Sequence, residues 1–250
     1  VLELVDARTR APQGVRAAPG AVLRMSARPA SGAAPLDQVR TLLVADMIRR
    51  VLEDVHAVQV LLAVTAEGGR LDLDLTELMI RPIAGVFTDT ASAITGLGGP
   101  VALEVCSAGL NCSHRDGPTC VRVGSVDADP AAAGAGGVDP VGMRYALLAA
   151  RHERPVRLDD KVLSDAGRVL DHWRSRVAEW AGFPSAPVQR DVVGAAHAAL
   201  DTDLDVARVL GLLRAVERDP SVSAGSKFET FSQIDQVLGF DLVRGLGAGS

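Results

Sequence analysis

Aromatic side chains are nearly absent: one Tyr, two Trp and five Phe make up 3% of the 250 residues. A core of this composition is aliphatic, and few rings remain to stack on bases or sugars. Lysine is scarce too, since Lys161 and Lys227 are the only two, so arginine carries the positive charge. A net charge of -5 and a pI near 5.5 argue against a dominant nucleic-acid footprint. No apolar run reaches the roughly 20 residues that span a bilayer. Residues 1–10 hold no hydrophobic signal-peptide core. A cytoplasmic protein without membrane partners is the expectation. Cysteine is limited to Cys106, Cys112 and Cys120. What is present is a chain 48% apolar and 23% charged, enough Leu, Val and Ala to bury a core and to exclude wholesale disorder.

The two halves read differently. Residues 21–26 and 58–64 have the character of short strands, the second nearly continuous in aliphatics. Between them Leu42, Ala45, Ile48 and Leu52 recur at helical spacing behind Asp37, with Asp46, Arg49, Arg50 and Glu53 on the opposite face. Strand, helix and buried strand in that order predict a parallel βαβ unit. Further strands are expected at 101–106 and 121–123, a turn at Gly96-Leu97-Gly98-Gly99, and a flexible Gly-rich linker at 131–137. After Asp139-Pro140 the pattern turns helical. Helices are expected at 142–151, from Asp159 or Asp160 to Trp180, at 188–200, at 204–217 behind an Asp201-Thr202-Asp203 cap, and at 227–238. The fold class expected is therefore α/β: a shortened Rossmann-like parallel sheet over residues 1–138, then an all-α helical bundle over residues 139–250.

The order of segments resembles cysteinyl-tRNA synthetases. Asp139-Pro140, Arg144-Tyr145, Leu147-Leu148 and Pro155 fit the stretch that follows the second signature motif of that family and leads into its bundle. Leu2-Glu3-Leu4 with Thr9-Arg10 resembles its opening hairpin, and residues 46–53 resemble its first long helix. The resemblance implies a class I aminoacyl-tRNA synthetase fold that makes an aminoacyl-adenylate. That chemistry uses an H-x-G-H motif and a K-M-S-K-S motif on the triphosphate. The matching places here read Pro35-Leu36-Asp37-Gln38 and Val121-Arg122-Val123-Gly124-Ser125, with no histidine and no lysine. Only Arg122 and Ser125 could stand in. Losing one such transition-state contact costs about 3–4 kcal/mol. The interval between the two places is also far shorter than in a complete synthetase, and the missing length is expected to include much of the second half of the sheet. A truncated, degenerate, non-catalytic paralogue is therefore expected, with no catalytic or cofactor-binding residues of its own. The alternative is an ATP-dependent, adenylate-forming ligase acting on cysteine or a related amino acid.

The resemblance also implies a zinc site. Cys106, in Glu104-Val105-Cys106-Ser107-Ala108, fits one zinc ligand, whereas the place of another is taken by Ala27. A different closure is a Cys₃His set of Cys106, Cys112, His114 and Cys120, since thiolates and imidazole suit zinc. The competing reading is three small thiols and a surface histidine in a loop. A disulfide is not expected in a reducing compartment. Apart from zinc, no cofactor is expected. His56, His152, His172 and His197 are read as surface or satisfied histidines, the last three on helical segments without acidic partners. Ser107 and Ser125 lack a base-and-acid arrangement. Arg49, Arg50, Arg168, Arg174 and Arg176, interleaved with acids, are read as a solvated helix face. A small aminoacyl-type ligand or a protein partner is expected ahead of tRNA.

Overall fold

The computed structural model describes residues 1–17, 20–30, 35–71, 73–110, 117–129, 139–244 and 246. The Gly-rich stretch 131–137 lies outside them. An antiparallel hairpin opens the chain, β1 (Glu3–Val5) with β2 (Pro12–Gly14), as the resemblance implied. Five strands then form one parallel sheet: β3 (Val22–Arg28), β4 (Gln59–Thr65), β5 (Gly85–Phe87), β6 (Leu103–Ser107) and β7 (Thr119–Val123). Their spatial order is β5-β4-β3-β6-β7, so the chain winds outward one way from β3 and then the other. That is the order of the first five strands of a doubly wound sheet. Two strands of the second half, β6 and β7, are therefore in place, more of that half than expected. The β-branched and aliphatic runs of β4 and β6 supply residues buried on both faces, as a central parallel sheet requires.

Helix α1 (Pro35–Arg50) crosses from β3 toward β4 and ends in a π turn, Val51–Val55. The sequence places its charged residues on a solvent face. The structure corrects this: Asp46 is fully buried and Arg50 nearly so, because the helical bundle packs against the side of α1 that the sheet leaves open. The short α2 (Thr90–Gly96), capped reciprocally by Asp89 and Ser92, covers the other sheet face with Ala93 and Leu97. Residues 96–99 make the expected turn, with Gly98 at φ 68°.

A small parallel pair, β8 (Val126–Ala128) with β9 (Val156–Leu158), brackets α3 (Pro140–Leu148). The bundle continues with α4 (Asp160–Ala181), α5 (Arg190–Asp201), α6 (Val206–Arg218) and α7 (Ala224–Leu238). Helix α4 starts where Asp159 accepts the Val162 N–H, and it buries Leu163, Ala166, Leu170, Trp173, Val177 and Trp180. Each large side chain so buried contributes about 2 kcal/mol. The start of α6 differs from expectation. Asp205 caps it, while Asp203 turns away in a left-handed conformation at φ 53° to bond elsewhere. Helix α7 ends at Gly239, whose φ of 66° suits a residue without a Cβ. One contiguous buried cluster runs from Leu2 through Leu62 and Leu103 to Trp173 and Leu242. Among the described residues no helix is long and apolar enough to cross a membrane.

Candidate functional site

In a doubly wound sheet the ligand crevice lies beyond the carboxyl ends of the strands, where the winding reverses. Here that point falls between β3 and β6. A cavity of about 310 Å³ opens beside it, lined by Arg28 and Pro29 after β3, Thr65 and Glu67 after β4, Thr88 and Asp89 after β5, and Leu110 after β6. Its charged groups are of both signs: Arg28 pairs with the buried Glu104 at 3.1 Å, and the carboxylates of Glu67 and Asp89 stand on the opposite wall. Ser107 does not point toward a base. Its Oγ meets Thr41 Oγ1 at 2.7 Å and accepts the Ala30 N–H at 3.1 Å, so it fastens the ends of β3 and β6 to α1.

The two places that the resemblance assigns to the phosphate motifs are brought together by bonds from Asp37 and from Arg40, two residues past the first place. Asp37 Oδ1, in the first turn of α1, accepts the Val126 N–H at 2.5 Å. One turn later the fully buried Arg40 donates through Nη1 to Gly124 O at 2.9 Å and Arg154 O at 2.6 Å, and through Nη2 to Arg151 O at 3.0 Å. Burial pushes its guanidinium down to about 10, which leaves it charged at neutral pH. On the far side, Gly124 N–H donates to His152 O and Val156 N–H to Ser125 O. A Cβ at Gly124 would meet the Arg154 carbonyl at 2.4 Å, so only glycine admits this approach. The segment 124–126 is thereby clamped between α1 and residues 151–156. Arg40 was not singled out from the sequence. A lone arginine in an amphipathic pattern reads as solvent-facing, and nothing local reveals that the carbonyls of Gly124, Ser125, Arg151 and Arg154 converge on it. Arg122 is exposed on β7 and Ser125 is half-buried.

The cysteine set is resolved in part. Cys106 and Cys120 are fully buried, and their Sγ atoms lie within 4.8 Å of each other and of a Glu104 carboxylate oxygen. Cys112 and His114 lie outside the described residues. The residues present do not fit a zinc ion as they stand. Cys120 is disulfide-bonded, contrary to expectation, so its sulfur is no thiolate. Cys106 is a free thiol that burial, helped by Glu104, pushes up to about 12. Metal-binding thiols must be ionised. Ala27, at the place of the missing ligand, is fully buried and registers with Val105.

Apart from His152, the histidines are surface or satisfied as expected, but both His152 and His172 have the acidic partners that the sequence reading denied them. His152 is not helical: it sits in the turn after α3, 5% exposed, with Glu153 and Asp203 beside it. His172 bonds Glu217, and His56 Nε2 meets Asp201 Oδ1 at 2.5 Å. Their acids come from elsewhere in the chain, which spacing could not reveal. The arginines of the supposed solvated face are ion-paired: Arg49 with Glu53, Arg168 with Asp165, Arg174 with Asp139 and Arg176 with Glu179, while Arg50 is buried against Asp46.

No protein-family model matches the chain. It is similar to proteins named L-cysteine:1D-myo-inositol 2-amino-2-deoxy-alpha-D-glucopyranoside ligase. That of Actinosynnema mirum is 33% identical over 112 residues, which is 42% of this chain and 26% of the relative. That of Rhodococcus erythropolis is 32% identical over 110 residues, with the same shares, and that of Micrococcus luteus is 37% identical over 79 residues, 32% of this chain and 18% of the relative. The chain thus spans about a quarter of the length of the first two curated relatives it matches.

Proposed function

We propose that this chain is a cysteine-ligase-like protein of the cysteinyl-tRNA synthetase-like group that binds a small aminoacyl-type ligand and does not form an adenylate. The parallel sheet, the colinear motifs around Asp139-Pro140 and the names of the similar proteins support the group. One observation carries the non-catalytic reading: Asp37, in the first motif place, holds Val126 just past the second, and Arg40, just past the first, holds Gly124 within the second. A triphosphate needs positive charge and free N–H groups at the first turn of α1. This chain puts a carboxylate there, and the nearest guanidinium is committed to backbone carbonyls. The switch-point crevice keeps a guanidinium and two carboxylates within one small cavity, groups that suit a zwitterionic amino acid better than a polyanion. With a pI near 5.5 and paired bundle arginines, a tRNA backbone is a poorer partner.

A second reading, an active ATP-dependent ligase using cysteine or a related amino acid, is favoured by the names of the similar proteins. ATP–pyrophosphate exchange, run with each amino acid beside a thermal-shift series with the same compounds, separates the two. The non-catalytic reading expects exchange at background and a rise in melting temperature with a cysteine-like ligand. Cysteine-dependent exchange well above background overturns it and establishes the ligase.

A further inference from the structure

A second set of chemically able side chains lies away from the crevice, where the turn after α3 meets the loop between α5 and α6. His152 and Glu153 come from the first and Asp203 from the second, and one ligand atom from each lies within 4.8 Å of the others. Arg151 orders the two carboxylates. It takes Asp203 Oδ2 at 2.6 Å and Glu153 Oε1 at 2.9 Å. The remaining oxygens face the imidazole: Asp203 Oδ1 lies 3.7 Å from Nε2, and Glu153 Oε2 lies 3.8 Å from Nδ1. Val5 N–H holds Asp203 Oδ1 from the other side at 2.9 Å.

Those two separations are too long for hydrogen bonds. The imidazole is 5% exposed and its Nδ1 has no hydrogen-bond partner. A buried, unpaired ring nitrogen is costly, by about 1–3 kcal/mol. One ring nitrogen can serve one cation, and a single nitrogen with one oxygen from each carboxylate stands within 4.8 Å of the others, close enough for small shifts to bring all three to the roughly 2.0–2.2 Å at which such an ion holds N and O. A cleft of about 360 Å³, lined also by Val5, Asp6, Ala7, Arg10 and Arg122, gives an ion a route in, and its acids match its arginines in number.

We infer that His152, Glu153 and Asp203 form a binding site for a borderline divalent cation of the zinc and cobalt class. Imidazole with carboxylates suits such ions, whereas magnesium prefers oxygen alone. Arg151 is the positioning residue, since ligating carboxylates are themselves held by hydrogen bonds. The site shares no ligand with the cysteine cluster, and it does not depend on whether the crevice binds an amino acid.

Cobalt(II) titration of the whole protein, followed by visible absorption, tests this. The expected result is about one equivalent bound, with ligand-field bands and no thiolate-to-cobalt charge-transfer band, undiminished in Cys106→Ala, which removes the free thiol. Glu153→Gln, at an exposed position, should weaken binding by at least about tenfold, and His152→Gln should abolish it. A melting curve without metal checks that His152→Gln folds, and Glu153→Gln carries the test if it does not. Absence of binding up to about 1 mM cobalt overturns the inference. So does binding that survives Glu153→Gln undiminished, or that shows thiolate charge transfer and disappears in Cys106→Ala.

Discussion

Arg144 Nη2 donates to Asp46 Oδ2 at 2.8 Å with both side chains fully buried, and this pair ties α1 of the sheet layer to α3 of the bundle. Arg50 Nε reaches the same oxygen at 2.8 Å, and the Arg81 N–H donates to Asp46 Oδ1 at 3.0 Å. Burial by itself raises the Asp46 carboxyl, but Arg144 and Arg50 outweigh it and hold it below the usual range. The rest of Arg144 is equally committed, with Nε on Leu238 O and Nη1 on Leu78 O. The guanidinium therefore joins three segments distant in the chain.

Removing one partner of such a pair strands buried groups. Arg144→Ala should cost about 3–5 kcal/mol, read as a shift in the urea midpoint. Arg144→Lys should recover little, because an ammonium cannot span the three acceptors in their fork geometry. A loss under about 1 kcal/mol would show that the pair does not fasten the layers.

Asp6 provides the acid-side prediction. It is 1% exposed, and its carboxylate accepts Arg8 Nη2 at 2.8 Å, the Arg8 N–H at 2.8 Å and the Cys120 N–H at 3.0 Å. Burial pushes its carboxyl up, but the Arg8 side chain and these backbone N–H groups outweigh it and hold it well below the ordinary carboxylate range. A depressed folded-state value means that the unfolded chain takes up the proton first as pH falls. The stabilisation is thus complete above about pH 5 and is lost progressively below pH 4. Asp6→Asn should lower stability at pH 7 by about 2 kcal/mol and flatten the acid limb of stability against pH. Parallel acid limbs for the two proteins would remove Asp6 as the cause.

Cys106 should be inert while the protein is folded. Its thiol lies at about 12, from burial first and the Glu104 carboxylate second, and the side chain is fully buried. At pH 8 its thiolate fraction is on the order of 10⁻⁴. Iodoacetamide should therefore leave Cys106 unlabelled in native protein and modify it once guanidinium unfolds the chain, as peptide mass spectrometry will show. Rapid native labelling would mean a thiolate that the surrounding groups stabilise.

The elements that read correctly from sequence are those governed by neighbours along the chain. The strand–helix–strand unit, the stripe from Leu163 to Trp180, the Asp159 cap and the end of the last helix at Leu238 are each set by residues within a turn or two. The α6 start was misplaced because Asp203 and Asp205 have equal capping chemistry. Only the contact from Val5 decides which of them is drawn away.

The candidate sites divide the same way. Composition and spacing by themselves determined an aliphatic α/β chain with no histidine and no lysine at residues 35–38 and 121–125, because the absence of a residue type is complete in the sequence. Tertiary structure alone decided what those places touch and what else was assembled: Asp37 on Val126, Arg40 on Gly124 and Arg154, and His152 between Glu153 and Asp203. Those partners lie about 50 to 115 residues apart, His152–Glu153 excepted. Hydrogen bonds and ion pairs act over a few ångströms of space, so which groups meet is fixed by the packing of layers and is invisible to spacing along the chain.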